Sequence, residues 1–394
     1  MATVGPNGTV FARRCGRGPA PPRPTATTLR YDPAMDAGPI LDAQVVLPCA
    51  DLAPTLAFFT ELLGFRVAAI WPADQPTHAV VSGHGLRVQF EPGAGPAGLL
   101  RLRCVDRSAL AGGRTSLTAP NGTRIELLDA DPPVVVPPLD AALVVSRAGD
   151  EGAWGTGRAG MQYRDLIPGR LGGRFIASHI RIPDGGPVPD YVHFHKIRFQ
   201  LIFCRRGLVR VVYEDQGEPF VMHAGDCVLQ PPRIRHRVLE ASAGLEVVEV
   251  GCPAEHETHA DLELALPTGR VDPGRDFGGQ VFARHVAADA VWAPWRVGGF
   301  EQRDSGIAAA TGGLAGVRVA RRSGPVPETP WAHQGELLFL FVLEGSLALR
   351  PAEGDVVALR AGDSVAVPAG LAHALTEVSD DAELLEVTLP GALG

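Results

Sequence analysis

Gly186-Pro-Val-Pro-Asp-Tyr-Val-His193-Phe-His195, followed by Gln200 and Gly207, decides how the rest of this chain reads. His193 and His195 stand two apart, and on an extended strand side chains two apart share one face. A second group follows: Gly225-Asp226, Pro231, His236 and Glu240. Both groups then return. Gly324-Pro-Val-Pro327 repeats Gly186-Pro-Val-Pro189, His333 matches His195, and Gly345 matches Gly207. Gly362-Asp363 matches Gly225-Asp226, Pro368 matches Pro231, His373 matches His236 and Glu377 matches Glu240. His333 follows His195 by 138 residues and His373 follows His236 by 137, and upstream Arg164-Asp165 pairs with Arg303-Asp304. So steady an offset marks two copies of one domain.

The surroundings say what kind of domain. The 394 residues exceed what one core serves, so two or three domains are expected. Gly (47) and Pro (35) are abundant and aromatic residues few, which suits short strands and tight turns better than long helices. A formal net charge of -8 gives no attraction to a polyanion, so nucleic acid and anionic membrane surfaces are poor partners. No helix-turn-helix pattern is visible either. No apolar run reaches the roughly 18 residues of a membrane helix. Six cysteines without a CxxC pair argue against a zinc cluster or disulfide framework and fit a reducing cytoplasm. Residues 1–40, rich in Gly, Pro, Ala and Arg, read as a disordered tail, with Met35 an alternative start. Residues 41–129 show strand and helix patterning, 130–160 read as a linker, and the repeats occupy 161–265 and 266–394.

Each repeat resembles a cupin. That family carries a Gly, an HxH pair, an acidic residue four or five positions on and a further Gly, then a Gly-Asp, a Pro, and a His. The first repeat supplies Gly186, His193, His195, Gln200 and Gly207, then Gly225-Asp226, Pro231 and His236. The resemblance implies a double-stranded β-helix barrel for each repeat, so the expected fold is mainly β, two such barrels with a small α+β domain of βαβββ type before them. It further implies a divalent metal held by His193, His195, Gln200 and His236. Imidazole accepts Fe(II), Mn, Ni, Cu and Zn alike; Fe(II) is the first expectation. Gln200 stands where the family usually has Glu, which leaves the +2 charge uncompensated and favours an anionic chelating substrate.

The second repeat departs from the pattern. Trp331 stands in place of His193 and Leu338 in place of Gln200, leaving His333 and His373. That repeat is expected to be structural. Glu336, two residues before the acidic position, leaves a rearranged site open.

Residues 41–129 resemble a glyoxalase/vicinal-oxygen-chelate domain, on Gln44-Val-Val-Leu-Pro-Cys-Ala-Asp51, Thr55-Leu-Ala-Phe-Phe-Thr-Glu-Leu-Leu-Gly64 and Ala119-Pro-Asn-Gly-Thr-Arg-Ile-Glu126. Gln44, Glu91 and Glu126 fall near ligand positions, but Leu99 occupies a fourth, so capping or dimerisation is the expected role.

Several polar residues are candidates for chemistry near the metal. Arg198 shares strand parity with Gln200 and could hold a substrate carboxylate. Tyr213 or Glu240 could serve as a general base. Tyr191, Gln230 and Arg233 are further candidates, while His256 and His259 read as a solvated connector. The leading expectation is a dioxygenase acting on a small anionic chelating substrate with O2. The alternatives are a non-redox metal-dependent isomerase or lyase, and a small-molecule-binding protein without turnover. A homodimer is compatible with all three.

Overall fold

A computed structural model of the chain describes residues 42–150, 154–157 and 160–393. The expected tail, residues 1–40, lies outside them. The N-terminal part contains β1 (Val45–Pro48), α1 (Leu52–Ala57, continued by a wider helical turn over Phe58–Leu62), β2 (Arg66–Trp71), β3 (His78–Gly83) and β4 (Leu86–Glu91). These form a βαβββ unit with strand order β1-β4-β3-β2. A shorter unit follows: β5 (Leu99–Cys104), α2 (Arg107–Ala111), β6 (Ser116–Thr118) and β7 (Arg124–Asp129), ordered β5-β7-β6. Asp106 starts α2 by accepting from the Ala109 amide at 2.9 Å, satisfying a donor the first turn cannot pair internally. Phe59 meets Phe65 and Phe90 edge-to-face at the centre of this small core.

The repeats form two β barrels. The first uses β9 (Trp154–Thr156), β10 (Gln162–Asp165), β11 (Ile176–Ile182), β12 (Gly186–Pro187), β13 (His193–Lys196), β14 (Phe199–Arg206) and β15 (Leu208–Tyr213). It continues through β16 (Phe220–His223), β17 (Cys227–Leu229), β18 (His236–Ala241), β19 (Leu245–Cys252) and β20 (Glu257–Ala260). The second uses β22 (Ala293–Pro294), β23 (Phe300–Asp304), β24 (Gly316–Arg322), β25 (Leu337–Glu344) and β26 (Ser346–Pro351), then β27 (Val357–Arg360), β28 (Ser364–Val367), β29 (His373–Thr376) and β30 (Glu383–Leu389).

Two further strands cross between the repeats, and the first of them lies within residues 130–160, the expected linker. β8 (Val144–Ser146), which precedes the first repeat, pairs with β28 of the second barrel. β21 (Ala283–His285), which precedes β22, pairs with β17 of the first. Each barrel therefore borrows a strand from the other repeat, and the repeat unit starts well before residue 161. The seven-stranded sheets run β21-β17-β14-β19-β11-β10-β9 and β22-β23-β24-β30-β25-β28-β8. The Gly-Asp pair anchors each borrowed strand. Asp226 accepts from the His223 amide of its own turn at 2.9 Å and from Ala287, just past β21, at 2.8 Å. Asp363 does the same with Arg360 at 3.1 Å and Ala148, just past β8, at 2.8 Å. Gly225 (φ +92°) leaves no room for a Cβ, which would meet Ala287 at 2.9 Å, so this turn requires glycine.

Alternation along the strands sorts side chains into two cores. Phe199, Leu201 and Phe203 of β14 and Val248, Val250 and Cys252 of β19 face the other barrel, where Leu337, Phe339, Phe341, Leu385 and Val387 meet them. The intervening residues face the barrel interior. A sheet covered on both faces reads as a continuous apolar run, which is why no amphipathic period marks β14 or β25. The first barrel's inner lining includes Ile180, Val209, Val211, Tyr213, Met222 and Val247.

Candidate metal centre

His193 and His195 lie on β13, and His236 opens β18 directly opposite His193. Their rings converge: the centroids are 4.3 Å apart for His193–His236, 5.2 Å for His193–His195 and 5.3 Å for His195–His236. Each offers a ring nitrogen within 4.8 Å of the others. The Nδ1 of His193 faces the Tyr191 carbonyl at 2.8 Å, and the Nδ1 of His236 faces the Ile234 carbonyl at 3.0 Å. A carbonyl can only accept, so both Nδ1 atoms carry hydrogen and the lone pair sits on Nε2. That is the tautomer and orientation of a metal-bound imidazole. His195 is held by Thr258 Oγ1 at 2.9 Å. The three residues thus fit a divalent ion, and among the described residues no other His/Cys/Asp/Glu group shows this convergence.

Gln200, 2% exposed, comes from β14 and lines the same cavity as the three imidazoles. Its Nε2 donates to Glu249 Oε1 at 2.6 Å. Glu249 lies on β19, on the inward face between Val248 and Val250, and no motif pointed to it. The signal was available in the repeat: Glu386 occupies the matching place on β30, 137 residues later. Tyr213 on β15 is stacked on His236 with centroids 5.6 Å apart, and its hydroxyl accepts from Gln230 Nε2 at 2.8 Å. Burial pushes the Tyr213 phenol well above its ordinary pKa, with Glu249 adding to the rise. With its oxygen accepting from Gln230, the hydroxyl has its own hydrogen left to donate into the cavity.

Other candidates are placed differently from the sequence expectation. Arg198 does not face the cavity. Its guanidinium holds Glu336 of the second repeat at 3.0 and 3.2 Å, and Arg174 joins the same carboxylate at 2.6 Å. Parity was right for the strand, but Arg198 precedes β14 and points to the barrel interface. That network also disposes of Glu336 as a rearranged ligand. Glu240 is exposed on β18, opposite Pro187 and Arg210; the pairing with β15 skips Leu239 of β18, and this irregularity leaves Glu240 on the outer face. Arg233 pairs with Asp131 at 2.5 Å. His256 was undervalued: it lines the cavity beside His195, with ring centroids 5.3 Å apart. His259 instead stacks on Phe194 and bonds Glu257 at 2.7 Å.

The second barrel arranges its remnants differently. The His333 Nε2 donates to the Val367 carbonyl at 3.0 Å while its Nδ1 accepts from Gly335 at 3.2 Å, so both nitrogens are committed. Trp331 lies 4.4 Å from His373 and under the Arg296 guanidinium. Burial lowers the pKa of both His333 and His373, keeping them neutral. In the N-terminal domain, Gln44 bonds Gln89 at 2.6 Å, and Glu126 is taken up by Arg101 and Arg124 at 2.7 and 2.8 Å. Leu99, on β5, is 45% exposed.

Residues 321–388, most of the second barrel, match the family model described as cupin domain. The chain is also similar to solved oxalate decarboxylases. A Bacillus subtilis variant is 13% identical, with 67% of this chain and 80% of that chain covered at a TM-score of 0.49. The Lactobacillus farciminis enzyme in its formate complex is 14% identical, with 66% and 90% covered at 0.48. No curated protein matches the chain in sequence. No helix among the described residues is long and apolar enough to cross a membrane.

Proposed function

We propose that the first barrel is the centre of a metal-dependent oxygenase acting on an anionic chelating substrate, with Fe(II) as the resident ion and O2 as co-substrate. The observation that carries this reading is the trio His193, His195 and His236, two of them fixed by backbone carbonyls in the metal-binding tautomer. When bound, the ion would act as a Lewis acid and electron conduit for a chelated substrate. The protein's own part is positional. The three imidazoles and the Gln200 amide form the fixed side of the ligand set. The Tyr213 hydroxyl, protonated and held by Gln230, can donate to a substrate oxygen beside His236. The apolar wall excludes water from the reacting face.

Glu249 is the observation that favours a second reading, a non-redox lyase or isomerase in which a cavity carboxylate moves a proton. Oxygen uptake separates the two. Fe(II)-loaded protein with a panel of β-diketones, catechols and α-hydroxy acids is expected to consume O2 with one of them. Turnover under strict anaerobiosis would select the non-redox reading.

A further inference from the structure

We infer that the first barrel takes a substrate with one singly charged chelating head and an apolar body, and rejects small dianions; this rests on the metal reading above. The cavity holds about 440 Å³, within the range that encloses a drug-sized ligand. Away from the imidazoles its wall is made by residues such as Ile180, Ile202, Val209, Val211, Met222 and Val247. A two-carbon acid would leave most of that surface facing water, whereas an apolar body would cover it.

The charge argument comes from comparing the two barrels. Glu386 of the second barrel is fully buried and sits opposite Arg318 in the strand register, with Arg318 Nη1 at 3.5 Å and Arg296 in direct contact. A cation thus balances the buried carboxylate, as its burial demands. In the first barrel the residue opposite Glu249 is Ser178. Among the described residues no Arg or Lys pairs with Glu249; Gln200 does. Arg237, the arginine among the lining residues, is exposed. The first barrel has a hydroxyl where the second has an arginine, and the divalent ion would be the cation that answers Glu249, which is half-buried in the wall of the cavity shared with the three imidazoles. With +2 on the ion and one negative charge on Glu249, a monoanionic head brings the enclosure to neutrality. A dianion leaves a net charge in an apolar cavity, where it is costly.

The test uses the full chain loaded with Mn(II) and three probes: acetohydroxamate, octanohydroxamate and oxalate, titrated calorimetrically. The two hydroxamates share a monoanionic bidentate head and differ only in chain length. Burying a methylene is worth up to roughly fourfold in affinity, so octanohydroxamate is expected to bind at least about 100-fold more tightly than acetohydroxamate, with oxalate weakest. Glu249→Gln is expected to strengthen oxalate about tenfold relative to acetohydroxamate, since it removes one charge of like sign. Equal affinity for the two hydroxamates, or oxalate binding as tightly as octanohydroxamate, overturns the inference. The wild-type series alone decides if the variant does not fold. A chain that takes up no Mn(II) overturns the metal reading, and the inference with it.

Discussion

Gln200 donates its amide to Glu249 at 2.6 Å, which fixes which end of the amide faces the carboxylate. Gln200→Glu would set two carboxylates side by side in a low-dielectric cavity. The metal-free variant is expected to lose about 1–2 kcal/mol of stability through like-charge repulsion. A divalent ion should restore it and bind more tightly than in the wild type. Thermal melts with and without Mn(II) check this; equal melting temperatures without metal would show that Gln200 and Glu249 do not interact in solution.

The two barrels are joined by a reciprocal pair of buried arginines. Arg164 Nη2 donates to the Gly362 carbonyl at 2.5 Å, and Arg303 Nη1 donates to the Gly225 carbonyl at 2.9 Å. Each reaches across to the Gly-Asp turn of the other repeat. Arg164→Met keeps volume but leaves a buried carbonyl without this donor, with an expected cost of about 2–3 kcal/mol. Denaturant unfolding measures it, and a loss below about 0.5 kcal/mol would show that the turn is held by the aspartate alone.

Trp331 packs on His373 and Arg296 but remains half-buried. Trp331→Ala is therefore expected to cost about 1–3 kcal/mol, less than the roughly 3–5 kcal/mol for a fully buried aromatic. Metal content should not change, because the imidazole trio belongs to the other barrel. Loss of metal in this variant would place part of the centre in the second repeat.

Acid should destabilise the first barrel. His179 Nε2 bonds Glu246 at 2.9 Å, and with Arg205 it holds the Glu246 pKa down at about 2 from an ordinary 4.5. A carboxylate with a lowered folded pKa contributes stability that is present above 4.5 and lost as pH falls toward 2. Burial lowers the His179 pKa as well, so its loss begins below 6.5 and adds in the same direction. Melting temperature is expected to fall steadily below pH 6.5, and Glu246→Gln should flatten the portion between pH 4.5 and 2, worth about 2 kcal/mol. A wild-type profile that stays level across that portion would contradict the assignment.

The repeat made most of this readable. The HxH spacing, the Gly-Asp turn and His236 each mark a strand or turn whose geometry is local, and the structure brings the three histidines together. What the sequence hid depended on pairings between distant segments. Nothing local says that Val144–Ser146 joins the far barrel, so its Pro-rich surroundings read as a linker. Arg198 had the right parity, but the inter-barrel partner Glu336 lies 138 residues away. Glu249 was hidden in an apolar run that is buried on both faces, where alternation cannot say which side is polar.

The most direct measurement is the metal stoichiometry of the purified chain after incubation with Fe(II) or Mn(II) and desalting. One ion per chain is expected, abolished in His193→Ala and in His236→Ala and retained in His373→Ala. No bound ion in the wild type, or two ions that survive the loss of His236, would contradict a single centre in the first barrel.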